Sequence, residues 1–211
     1  MKLILAGSTG LVGREVLRLA LESPAVSNVL ALTRRPLPEH PKLQTPVVDF
    51  NRLPEDAHWW QADAVICTLG TTIKVAGSQQ AFRRVDHDYP LEIGRLARAG
   101  GTPVYVLNSA IGADPSSRIF YNRVKGELER DLAALGFPAL TLVRPGLIGG
   151  ERDEFRRGER LWLAVLGPIG PLLPKAWRIN PALEIAQALI QAALAPAPGV
   201  SVIASDKLTG N

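Results

Sequence analysis

Tyr121 and Lys125 stand four residues apart in "FYNRVKGELERDL", so on a helix they share one face. A phenol ordinarily ionises near pH ~10 and is a weak acid–base group at neutrality. An ammonium beside it stabilises the phenolate and lowers that value. By itself a helical Tyr–Lys pair is most often a solvated face. This pair follows "NSAIGAD", in which Ser109 closes an apolar run, "PVYVLNS". A hydroxyl to hold a carbonyl oxygen, a phenol to protonate it and an amine to tune the phenol make Ser109, Tyr121 and Lys125 candidate catalytic residues for carbonyl reduction. A serine at such a place also serves simply as a turn or cap residue.

Reduction needs a hydride donor, and the first residues offer a place to bind one. In "KLILAGSTGLVGREVLRLALE" three glycines, Gly7, Gly10 and Gly13, lie between an apolar run and an amphipathic one. A tight strand-to-helix turn, close backbone approach by a pyrophosphate and close helix–strand packing each call for a missing Cβ. The helix start adds free N–H groups and a partial positive charge. The segment Gly7, Ser8, Thr9, Gly10, Leu11, Val12 and Gly13 is therefore the candidate phosphate loop. Small residues placed for helix packing alone are the competing explanation.

The second strand-like run ends "LALTRRP". A carboxylate for a ribose 2′-hydroxyl would be common there. Arg34 and Arg35 stand there instead, and a guanidinium fork suits a 2′-phosphate. The expected cofactor is NADP(H), with two plain surface arginines as the alternative. Asp49, ending the third run, is placed to accept from an adenine amino group. Leu69, Gly70 and Thr71 in "CTLGTT", after the fourth run, are placed to skirt the adenosine ribose. Lys125 is also placed to hold the nicotinamide ribose. Cys67 reads as a small core residue.

These residues require a scaffold. Strand-length apolar runs at 2–6, 28–33, 45–50, 62–69, 103–109, 139–146 and 200–205 alternate with helical periods at 11–23, 88–100, 117–136 and 181–194. The first helix places Leu11, Val16, Leu19 and Ala20 on one face. Alternation of this kind predicts an α/β, doubly wound, mainly parallel Rossmann-like sheet with ligands at the carboxyl ends of its strands. The 211 residues are expected to form one domain, 1–211, with 147–180 as a short irregular lid. Residues 161–177 are strongly apolar, with Leu161, Trp162, Leu166 and Trp177 among them. They read as core packing, as a lid over a small substrate, or as a partner or membrane-surface patch.

Composition narrows the classes. The formal charge is +4, but the basic residues are interleaved with acids, as in "RDEFRRGER", rather than forming a one-signed stripe. No nucleic-acid partner is expected. One cysteine allows no internal disulfide, and three scattered histidines give no metal-ligand spacing, so no metal is expected. The apolar N-terminal run is too short to span a membrane and no signal-peptide cleavage pattern follows it, which predicts a cytoplasmic protein without a membrane span. A homodimer is left open.

The glycine triplet in "GSTGLVG", the Ser109 strand end, "YNRVK" and "RPG" at 144–146 resemble the short-chain dehydrogenase/reductase superfamily across nearly the whole chain. The similarity is to its atypical, compact group. "GTTIKVAGSQQAFRRVDHDYPLEIGRLA" and "NSAIGADPSSRIFYNRVKGELE" are similar to bacterial members of the branch containing the human Tat-interacting, oxidoreductase-like tumour suppressor. The resemblance implies NADP(H) binding, a Ser109–Tyr121–Lys125 triad, and Pro145 and Gly146 passing near the nicotinamide. Two departures stand out. "CTLG" replaces the superfamily's frequent "NNAG", and "RVDHDY" offers Asp86 and His87 where an Asn would serve a proton relay. The expected function is an NADPH-dependent oxidoreductase reducing a small carbonyl or quinone-like substrate. The alternative is a non-catalytic NADPH-binding module that senses redox state or docks a partner.

Overall fold

The apolar runs pair side by side in one direction. In the computed structural model, which describes residues 1–149 and 179–208, they form a parallel sheet with helices on both faces. Its strands are β1 (Lys2–Ala6), β2 (Asn28–Leu32), β3 (Leu43–Gln44), β4 (Ala64–Cys67), β5 (Val104–Asn108), β6 (Ala139–Arg144) and β9 (Gly199–Ala204), in the order β3-β2-β1-β4-β5-β6-β9. Every pairing is parallel, with Leu3 opposite Val29 and Ala64, and Val104 opposite Ala139. The Rossmann-like expectation is borne out.

The central strands are apolar on both faces because both faces are covered. Leu3, Leu5, Ile66, Val104 and Val106 meet α1 (Leu11–Glu22) and α6 (Ala182–Leu194) through Val16, Ala20, Ile185 and Leu189. Ile4, Val65, Tyr105 and Leu107 alternate to the other side. There they meet α4 (Tyr89–Ala99) and α5 (Phe120–Ala134) through Ile93, Leu96, Leu128 and Leu132. On α1 the buried positions are Val12, Gly13, Val16 and Ala20; Leu11 and Leu19 pack partly buried at the margin of that core.

Three stretches differ from the sequence expectation. The third run contributes β3 before its expected start, and only an isolated bridge, Thr33 with Val47, joins the rest of it to β2. Pro46 has no N–H to give to a longer ladder. After β4 come two short helices, α2 (Ile73–Ala76) and α3 (Gln79–Arg83), each started by a side chain accepting a backbone N–H, Thr72 from Val75 and Ser78 from Ala81. Then α3 runs through a π-helical turn, Arg84–Asp88, directly into α4. Pro90 explains the turn: inside a continuous helix it has no N–H for the carbonyl four residues back and its ring crowds that carbonyl. A wider turn accommodates both problems.

Two short strands, β7 (Leu147–Gly149) and β8 (Ile179–Pro181), pair in parallel and bring the ends of the 150–178 segment together. The apolar lid expected over 161–177 lies outside the described residues. No helix among the described residues is long and apolar enough to cross a membrane.

Gly126 on α5 touches the loop that follows β5. A Cβ there would lie 2.2 Å from both the Asp114 carbonyl carbon and the Pro115 nitrogen. These are backbone atoms, so loop or helix must move. Gly126→Ala is expected to destabilise the fold by ~1–3 kcal/mol. Urea unfolding checks this: the midpoint falls while the m-value holds. An unchanged midpoint would mean that the loop does not rest on α5.

Candidate active site

The parallel sheet gathers the ends of β1, β2, β4, β5 and β6 along one edge. Gly7 leaves β1 with φ of 91°, a left-handed conformation that glycine adopts without a Cβ clash. Gly13 lies against it, and a Cβ on Gly13 would sit 2.0 Å from the Gly7 carbonyl oxygen. That close approach brings the start of α1 to the edge. Gly10 donates to the Gly7 carbonyl at 3.0 Å, and the first bond into the helix runs from Arg14 N–H to the Gly10 carbonyl at 2.9 Å. The N–H groups of Leu11, Val12 and Gly13 precede that bond, Gly10 supplies no side-chain cap, and the first turn contains no acid. Donors, the positive end of the helix dipole and the absence of a carboxylate fit an anion such as a pyrophosphate. In the same turn Ser8 is buried with a hydroxyl that has no hydrogen-bond partner, while Thr9 is exposed and its carbonyl accepts from Arg14 Nε at 3.0 Å.

At the end of β2, Thr33 Oγ1 accepts from the Arg35 N–H at 2.8 Å. This turn leaves Arg34 and Arg35 exposed at the carboxyl edge. Asp49 is exposed and accepts from Asn51 through the backbone N–H at 2.9 Å and the side-chain amide at 2.8 Å. Those bonds hold its carboxyl below its ordinary value. After β4, Leu69 and Thr71 are half-buried and Gly70 is exposed. Cys67 is fully buried, and burial pushes its thiol up, as a core residue requires.

Lys125 is the buried charge at the centre. Its Nζ lies 2.8 Å from Asp86 Oδ1, and the two side chains are 4% and 1% exposed. Asp86 Oδ2 accepts from the Thr71 N–H at 2.8 Å, so one carboxylate ties α5 to the loop after β4. Burial, the largest single influence, would depress the Lys125 ammonium; the Asp86 charge and hydrogen bond together with Tyr121 and Cys67 outweigh it and hold Lys125 above its ordinary value. Tyr121 is half-buried, and Phe82 from α3 packs on its ring with centroids 5.7 Å apart. The neighbouring His87 points elsewhere, between Asp88 at 2.8 Å and Asp131 at 3.0 Å.

Ser109 does stand at the end of β5, and its N–H continues the ladder to the Val143 carbonyl at 2.7 Å. Its hydroxyl, however, donates to Glu129 Oε1, one turn beyond Lys125 on α5. Glu129 is buried and also receives the Arg144 guanidinium, with Nε at 3.0 Å from Oε1 and Nη2 on Oε2. A substrate oxygen would have to compete with a carboxylate for that hydroxyl. Tyr121 and Lys125 are brought together; Ser109 is beside them but turned into a buried network.

Pro145 and Gly146 follow β6 at the same edge. The Pro145 carbonyl accepts from Ile111 N–H at 2.8 Å, and the Gly146 N–H donates to Asn180 Oδ1 at 2.7 Å. Asn180 is fully buried, also accepts from the Ser205 hydroxyl at 2.7 Å, and donates to the Ser205 carbonyl at 3.1 Å. The sequence reading missed Glu129 and Asn180. Glu129 had a signal, being four residues beyond Lys125 on the same helical face. Asn180, between Ile179 and Pro181, had none.

No family model matches the chain. Individual proteins do. It is 36% identical to the FMP52 protein of Aspergillus fumigatus over 217 residues, covering 97% of this chain and 92% of the relative. It is 34% identical to rat HTATIP2 over 209 residues, covering 95% and 84%. Among solved structures it superposes on MoeE5 bound to UDP-glucuronic acid and NAD with a TM-score of 0.76 at 19% identity, covering 96% of this chain and 75% of that one. Bordetella bronchiseptica WbmH bound to NAD+ gives 0.70 at 16%, covering 97% and 75%. One expectation falls here. The cytoplasmic assignment rested on the lack of a recognisable targeting pattern, and the fungal relatives are named as mitochondrial proteins. The glycine turn, the Tyr121–Lys125 helix and identity along almost the full length agree: this chain belongs to the family of FMP52 and HTATIP2, an atypical branch of the short-chain dehydrogenase/reductase superfamily.

Proposed function

We propose that the protein is an NADPH-dependent oxidoreductase that reduces a small carbonyl or quinone-like compound. The observation that carries this reading is the buried Lys125 ammonium interacting with Tyr121 at the carboxyl edge of the sheet. A protein that only bound a dinucleotide would have no need to bury a charge beside a phenol. The glycine turn and uncapped α1 would hold a pyrophosphate, with Gly7 to Gly13 around it. Arg34 and Arg35 would pair with a 2′-phosphate, while Asp49, Leu69, Gly70 and Thr71 line the adenosine side. Pro145 and Gly146, fixed by Ile111 and Asn180, would border the nicotinamide.

When bound, the reduced nicotinamide supplies a hydride to the carbonyl carbon. Tyr121 gives its hydroxyl proton to the carbonyl oxygen. Lys125 stabilises the phenolate left behind and offers N–H donors to the adjoining ribose. Ser109 orients the substrate oxygen if that oxygen displaces Glu129 from its hydroxyl; otherwise it locks the end of β5 to α5. The substrate is a small molecule, and a homodimer is the assembly we propose, with no nucleic acid in the site.

Two outcomes test this reading. Wild type binds NADPH more tightly than NADH in fluorescence titration, and Arg34→Ala/Arg35→Ala lowers NADPH affinity about ten- to a hundredfold, the worth of ~1.5–3 kcal/mol for bonds to a charged group, with NADH unchanged. Equal wild-type affinities would remove the 2′-phosphate assignment. On a panel of carbonyls and quinones, Tyr121→Phe abolishes NADPH consumption, while Ser109→Ala loses less because its hydroxyl is committed to Glu129. Tight cofactor binding with no turnover on any panel member would favour the non-catalytic module.

A further inference from the structure

The partner of Lys125 is a carboxylate with both oxygens in use, one on the Lys125 ammonium and one on the Thr71 N–H. Asp86 sits in the π-helical turn Arg84–Asp88, and that turn directs it onto α5 and the loop after β4. Removing a carboxylate and an ammonium from water together is costly, and replacing such a pair by apolar side chains is often neutral or stabilising. Stability is therefore a weak reason for the pair to be here. π-Turns recur at functional sites, and this one carries the counter-ion. Gly70 lies over the pair: a Cβ on it would come 3.4 Å from Asp86 Oδ1 and 4.0 Å from Lys125 Nζ. Gly70 is exposed, so no side chain at that point covers the two buried charges.

We propose that Asp86 is a positioning residue whose carboxylate holds the Lys125 ammonium against the loop after β4 and offsets part of its charge at Tyr121. The protonation of the Tyr121–Lys125 pair is then set by three groups rather than two. The proposal rests on the reading of Tyr121 and Lys125 as the acid–base pair. The ionisable groups facing Lys125 are Asp86 from the π-turn, Tyr121 one turn earlier on α5, and the Cys67 thiol of β4, which burial keeps protonated. Glu129, one turn later, is engaged by Ser109 and Arg144. His87 faces Asp88 and Asp131. Arg83 and Glu127 pair with each other. Asp86 is thus the acid that answers the Lys125 charge directly.

The test is a pH titration of the whole protein without cofactor, followed by NMR of 13Cζ-tyrosine and 13Cε-lysine. Tyr121→Phe and Lys125→Met assign the two signals. Asp86→Asn keeps the shape, removes the charge and leaves a single acceptor oxygen for the two donors. It is expected to bring the first deprotonation of the Tyr121–Lys125 pair down by a pH unit or more, a tenfold loss of proton affinity, at whichever nucleus reports it. An unchanged titration overturns the proposal. A double-mutant cycle in urea gives a second reading. Asp86→Asn/Lys125→Met is expected to be more stable than Lys125→Met, which leaves a lone buried carboxylate. Additive effects overturn the proposal. Where Asp86→Asn alone does not fold, recovery of folding in the double variant supports it and failure to recover overturns it. No cofactor or substrate enters either experiment, so their failure is separate from failure of the NADPH reading.

Discussion

A parallel sheet imposes a direction on everything attached to it. Each strand ends at the same edge, so the residues after β1, β2, β4, β5 and β6 are neighbours however far apart they lie in sequence. The helices must then cross back over the faces, and their amino ends point to that same edge. The tightest contact in this arrangement is Gly13 against the Gly7 carbonyl, where a single methyl group would drive α1 off the sheet. The open N–H groups of α1 are at the edge because of that contact. The site is thus a consequence of how β1 and α1 meet, before any polar side chain is considered.

Helix α5 adds a second constraint. Tyr121, Lys125 and Glu129 repeat every four residues and form a polar stripe on the inward side. A surface stripe would be satisfied by water. A buried one must find partners from the protein, and each partner comes from a different element. Phe82 of α3 packs on the Tyr121 ring, Asp86 of the π-turn neutralises Lys125, and Ser109 and Arg144 from two strand ends engage Glu129. The stripe therefore fixes α5 against the sheet edge at three heights. Placement of Tyr121 and Lys125 and correct packing of the domain are the same requirement.

Much of this is written in local patterns. The strands were legible because burial on both faces makes them continuously apolar, and α1, α5 and α6 because their periods are long. The glycine spacing was legible because its context, strand then helix, was. What escaped depends on residues far apart in sequence. Pro90 reads locally as a helix start, yet the chain arrives already helical from Gln79 and absorbs the proline in a wider turn. Ser109 reads as a hydroxyl free for substrate, because nothing in "NSAIGAD" discloses a carboxylate twenty residues later. The commitment of Asp86 to Lys125 needs three segments to be in place at once. Cellular location was not legible at all, since the absence of a targeting pattern is not a physical constraint on the folded chain.

The rim near Pro145 carries the same logic across the longest separation. Gly146 leaves β6, and its N–H is held by Asn180, thirty-four residues later. Asn180 also binds Ser205, beyond β9, through its amide and its carbonyl oxygen. One buried amide thus joins the exits of β6 and β9 to the entry of α6. β7 and β8 then repeat the connection through backbone bonds. The path of Pro145 and Gly146 is consequently set by bonds from residues distant in sequence: Ile111 on the Pro145 carbonyl, and Asn180, itself held by Ser205, on the Gly146 N–H.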